Sequence, residues 1–134
     1  MWVAREEAGN LYRQVLELDP DNAPARAGIE RLVADYASDV SALLDRRRTD
    51  AADAALQQGL ALAPGHPSLV TLTKRAQVQR EVEALLAAGT AALAAYRLTT
   101  PAGDNAEHHF RAALELEPNN PDALSGLEQI AERY

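Results

Sequence analysis

The chain has 134 residues, with 20 acidic and 13 basic side chains and a net charge of −7. That length allows a packed domain, and the acidic balance argues against nucleic acid, whose phosphates call for clustered lysine and arginine. There is no cysteine, which excludes disulfides, thiolate zinc sites and cysteine nucleophiles. Residues 1–10 lack the apolar centre of a signal peptide. The longest uncharged stretch, residues 84–96, is too short and too alanine-rich to span a bilayer.

Apolar spacing predicts six helices and no strand. The first, about residues 3–18, carries Leu11, Tyr12, Val15 and Leu16 on one side. Residues 19–22 turn the chain, with Asn22 as N-cap of the next helix and Pro24 in its first turn. That second helix, about 23–47, has Ile29, Leu32, Val33, Tyr36, Val40, Leu43 and Leu44 at three–four spacing. Arg46, Arg47 and Arg48 end it, complementing the negative end of its dipole. Thr49 or Asp50 is the expected cap of a third helix, about 50–62.

After a turn at Gly65-His66-Pro67, the fourth segment, about 67–97, is the longest. Its stripe is Leu69, Leu72, Val78, Val82, Leu85, Leu93 and Tyr96, with Gly89-Thr90 as the point where it would kink. The overlong second helix is the expected cover for this stripe. Residues 99–105 form a loop, and Asp104 with Glu107 resembles a capping box opening a fifth helix, about 104–116. Pro121 starts the last helix, which runs to about 133.

The sequence also repeats. Residues 6–36 align with 104–134 without a gap at an offset of 98, Pro20 falling on Pro118. Leu16-Glu17-Leu18 matches Leu114-Glu115-Leu116, and Ala8, Arg13, Asn22, Ala25, Gly28, Glu30 and Tyr36 recur as Ala106, Arg111, Asn120, Ala123, Gly126, Glu128 and Tyr134. A weaker copy lies between them. Ala8, Tyr12, Val15 and Pro20 share their spacing with Ala52, Leu56, Gly59 and Pro64, and with Ala106, Phe110, Ala113 and Pro118. A small residue, a bulky one and a second small one thus share a helical face, and proline stops the helix one turn later.

This phrase resembles the second helix and turn of a tetratricopeptide repeat. Ala106-x3-Phe110-x2-Ala113-x4-Pro118 matches that half of the family pattern at every position. The first-helix half matches poorly when started at Ala23, Pro67 and Pro121, its tryptophan position holding Arg26, Val70 and Leu124. The prolines are 44 and 54 residues apart, against a family period of about 34. The resemblance implies an all-α fold, an antiparallel helix-pair solenoid of about six helices, two of them unusually long, over residues 1–134 as a single domain. It implies a non-enzymatic scaffold or adaptor binding a peptide or partner protein on first-helix faces. The alternative is a structural spacer or self-association module pairing through exposed solenoid ends, within a larger protein that could carry a membrane anchor.

By family register the groove-facing positions are Arg31, Arg75 and Gln129, and an arginine pair there would suit an acidic or carboxylate-bearing segment. No chemistry competes with this reading. Adjacent His108 and His109 project about 100° apart on a helix, whereas ligands want spacings of three or four. The serines lie in no nucleophile elbow, and there is no phosphate-binding glycine loop. No metal and no cofactor is expected. Because Tyr134 aligns with Tyr36 in mid-helix, the stretch reads as part of a longer array with an unsatisfied apolar end.

Overall fold

A computed structural model describes residues 2–134, with side chains from Ala4 onward. Six helices follow in chain order: α1 (Trp2–Leu18), α2 (Ala23–Asp45), α3 (Thr49–Leu62), α4 (Pro67–Ala94), α5 (Ala106–Leu116) and α6 (Pro121–Glu132). No strand occurs among the described residues. The stretch read from sequence as one domain divides into two compact units, Met1–Ala76 and Gln77–Tyr134, and the division falls within α4.

Local chemistry accounts for most helix ends. The Asn22 and Asn120 side chains accept from the N–H groups of Ala25 and Ala123 at 2.9 and 3.0 Å, satisfying donors that the first turn leaves orphaned. Both long helices close with a non-glycine residue in the left-handed region, Arg47 at φ 60° and Tyr96 at φ 58°. In each case a backbone N–H reaches back five residues, from Arg48 to Leu43 and from Arg97 to Ala92, which caps the last carbonyls. This is why the helices stop at 45 and 94 rather than at 47 and 97.

Two expected caps are not used. Asn105, not Asp104, caps α5: its side chain accepts from His108 N–H at 2.8 Å and donates to the carbonyls of Thr99 and Pro101 at 3.0 and 2.9 Å. An amide can both accept from the helix and donate to the loop, which a carboxylate cannot. The N-cap of α3 is Arg48, without a side-chain bond, and Thr49 is already the first helical residue.

In the first unit, α1 packs on α2, α2 on α3, and α1 also touches α3. α2 packs on two neighbours along its length: Arg5 of α1 reaches as far as Tyr36 and Asp39, and Val33 joins the core shared with α3. Its first half meets α1 at Gly28, where a Cβ would lie 2.3 Å from the Tyr12 ring. Its second half contributes Val40 and Leu44 to a core with Ala52, Ala55 and Leu56 of α3 and Leu69 and Ala76 of α4. The surplus turns are therefore not an overhang on an ordinary first helix.

The start of α4 runs parallel to α2. His66 meets Glu30 at 3.1 Å, a separation of 36 residues. Arg75 bonds Ser41 and pairs with Asp45, 34 and 30 residues away. Leu69 and Tyr36 both press on Gly59 of α3, with a Cβ there lying 3.1 and 3.4 Å from them. Contacting residues of α2 and α4 are thus 30 to 36 apart, although the sequence phrases repeat at 44, whereas α1 meets α3 at larger separations, Arg13 at Ala61 and Gly9 at Leu62.

In the second unit, residues 77–94 of α4 pack with α5 and α6. Val82, Ala92 and Leu93 share a core with Ala106, Phe110, Ala113, Ala123 and Ile130. This corrects the expected cover of the long stripe: α2 serves its first residues, and α5 and α6 serve the rest. Two members of the stripe, Val78 and Tyr96, are exposed. Gly89 does not break the helix. It lets α4 approach α5 closely, since a Cβ there would lie 2.7 Å from the Phe110 ring.

Candidate binding groove

The second unit carries an open groove of about 650 Å³. Its floor is Phe110, whose ring is held between two glycines: a Cβ at Gly89 would meet one edge at 2.7 Å and one at Gly126 the other at 2.5 Å. One wall is the small-residue face of α4, with Leu86, Ala87, Thr90, Ala91 and Ala94; the other is α6, with Asp122, Ser125 and Gln129. Asn120 and Pro121 fix the start of α6, so these three residues recur at helical spacing along the rim. The walls are short-chained and mostly apolar, with amide and hydroxyl groups and one carboxylate at the edge. That combination can seat a bulky apolar side chain and hydrogen-bond the backbone beside it.

The first unit has a smaller cavity of about 340 Å³ between α1, α2 and α3. Its two arginines are committed to the fold, whereas Gln58 Oε1 is buried without a hydrogen-bond partner. Arg5 pairs with Asp39 and lies 5.3 Å over the Tyr36 ring, and Arg13 donates to the Ala61 carbonyl at 3.0 Å. Burial pushes the Tyr36 phenol above its ordinary range, with Arg5 opposing the shift.

Of the three residues predicted from register, Gln129 lines the groove, and its amide lies 3.5 Å from the Ser125 hydroxyl. Arg31 and Arg75 both belong to the first unit but are not brought together. Arg75 is engaged at Ser41 and Asp45, and Arg31 lies 14 residues before Asp45 on α2, roughly 21 Å along the axis. They do not form a two-arginine clamp in this arrangement. The sequence reading missed the α4 wall, because Gly89 read as a weak point in a helix rather than as a seat for an aromatic ring.

His108 is exposed and His109 half-buried. His109 Nε2 lies 3.1 Å from Asp104, which Arg97 also holds at 2.8 Å. No group of three or more potential metal ligands occurs among the described residues, and no helix among them is long and apolar enough to cross a membrane. The hydrogen bond with His109 and then the bonding and charge of Arg97 hold the Asp104 carboxyl below its ordinary range. A lowered folded value contributes stability above the ordinary aspartate range and loses it as pH falls through the folded value. Asp104→Asn should therefore melt below the parent at about pH 6, with the gap closing towards about pH 2. A constant gap would mean that the carboxylate's charge is not involved.

Comparisons with models of known protein families, with curated proteins and with solved structures find no match.

Proposed function

We propose that this chain is a protein-interaction module of the tetratricopeptide type, in which stacked helix pairs present a groove to a segment of a partner protein. The observation that supports the reading is the separation of about 34 residues between α2 and the parallel start of α4. It equals the family period, although the phrases in sequence are 44 and 54 residues apart. In this reading α2 is shared between two helix pairs, packing on both α1 and α3.

The groove over Phe110 is the binding site in this reading. It favours a partner segment that inserts an apolar side chain against Phe110 and bonds to Ser125 and Gln129. Asp122 on the rim favours a basic residue beside it, unlike the acidic segment that the arginine register suggests. The role is binding and positioning, not catalysis.

Selection of peptides from a random display library on the folded chain tests this. Selected peptides should carry an apolar anchor, and Ser125→Trp, which fills the groove from an exposed position, should weaken them by at least about tenfold. Arg13→Ala, on the cavity of the first unit, should leave them unchanged. Peptides indifferent to Ser125→Trp would place the binding surface elsewhere.

A further inference from the structure

The first unit leaves a cavity of about 340 Å³ where α1 and α3 part over Tyr36 of α2, at the lower end of the range for small-molecule sites. Gly9, Ala54 and Ala61 are too short to fill it. Glu6 and Arg13 stand exposed at its rim on α1, two turns and roughly 10 Å apart along the axis. An anion and a cation thus face one opening.

The duplicated copy shows that the cation is unopposed by its own helix here. Arg111 stands where Arg13 stands at the offset of 98, and its Nε lies 2.8 Å from Glu107 one turn before it. The residue in the place of Glu107 is Gly9. Without that carboxylate, Arg13 crosses to α3 and donates one N–H to the Ala61 carbonyl at 3.0 Å. A guanidinium carries five N–H groups, and a neutral carbonyl fixes its position without cancelling its charge. The α3 wall holds a second unmet group. Gln58 lines the cavity, and its Oε1 is buried with no hydrogen-bond partner. An acceptor in that state is unfavourable, and a turn of the carboxamide presents it to a donor inside the cavity.

We propose that this cavity binds a free α-amino acid with an apolar side chain. The carboxylate pairs with Arg13. The ammonium brings three donors, which Glu6 and Gln58 Oε1 accept. The side chain lies against Ala54, Leu62 and the Tyr36 ring. Each charge at the rim then meets its opposite, which a simple amine or a simple carboxylate cannot achieve, and a doubly charged anion would be repelled by Glu6. The cavity belongs to the first unit and the groove over Phe110 to the second, and either site can fail without the other.

Saturation-transfer NMR of the intact chain with each of the common L-amino acids tests this, followed by calorimetric titration of those that bind. At least one of leucine, isoleucine, valine, methionine and phenylalanine should bind. The matching amine without the carboxylate, and the matching acid without the amine, should bind at least about tenfold more weakly, as should the amino acid itself to Arg13→Gln or Gln58→Met. Arg13 is exposed, so Arg13→Gln should melt with the parent chain. Gln58→Met should melt no lower than the parent, because it removes a buried acceptor that has no partner. Absence of binding by every amino acid at about 10 mM overturns the proposal. So does binding that Arg13→Gln leaves unchanged, or an amine or acid analogue that binds as tightly as the amino acid. A Gln58→Met chain that melts well below the parent removes Gln58 from the site, its oxygen then being satisfied within the fold.

Discussion

Phe110→Ala is expected to destabilise the second unit by about 3–5 kcal/mol, the range for truncating a buried aromatic without collapse of the cavity. Collapse is hindered here because the ring touches two helices at once, α4 through Gly89 and α6 through Gly126. Neither glycine has a side chain with which to fill the void. The loss should therefore reach both helix contacts of α5. Hydrogen exchange should report it as lost protection over residues 82–130, with protection across α2 and α3 retained. Uniform loss along the chain, or a change below about 1 kcal/mol, would mean that the ring is not the keystone of this unit.

The two glycines that face an aromatic ring at equivalent positions should respond differently to alanine. At Gly28 the added Cβ would lie 2.3 Å from Tyr12, and at Gly126 it would lie 2.5 Å from Phe110. By distance alone Gly28→Ala is the worse clash. Tyr12, however, is only half-buried and belongs to a helix with an open face, so its ring can swing away. Phe110 is 3% exposed and is held on its other edge by Gly89. Alanine also gains roughly 1 kcal/mol of helix propensity over glycine at both sites. Gly28→Ala should then be close to neutral, whereas Gly126→Ala should lose up to about 2 kcal/mol net, from an overpacking cost of about 1–3 kcal/mol. Chemical denaturation of the two variants decides it; equal losses would show that ring freedom is irrelevant.

Helix order and most boundaries were legible because periodicity and capping act locally. Asn22 caps where its position before a proline-containing first turn suggests, and Asn120, read only as part of a turn, caps α6 in the same way. The cap of α5 was not, because Asp104 and Asn105 both suit an N-cap and only the loop decides. The Thr99 and Pro101 carbonyls need a donor, and Asn105 supplies one. The partition of α2 was hidden for a different reason. A continuous apolar stripe reads the same whether it faces one neighbour or two, and only Tyr12 and Arg5 of α1 on one side and the α3 core on the other separate the cases. Likewise Leu11 and Val15 were legible as apolar, but their exposure depends on which helix is present to cover them.

The candidate site was partly legible. Gln129 lines the groove, yet Arg31 and Arg75 were paired by a 44-residue register that the packing does not follow. Tyr36 and Tyr134 make the same point about context. They are equivalent in sequence, but Tyr36 is 1% exposed beneath α3 and Arg5, whereas Tyr134 is 79% exposed.

The central claim is that α2 and the start of α4 stack with contacting residues about 34 apart rather than at the 44-residue spacing of the sequence phrases. The absence of cysteine makes spin labelling clean, and dipolar distances in two double-cysteine variants test the claim directly. The Ser41→Cys/Arg75→Cys pair should give the shorter distance. The Arg31→Cys/Arg75→Cys pair should be longer by about 10 Å or more, since ten helical residues rise about 15 Å. The reverse order, with 31 and 75 the closer pair, would contradict the account.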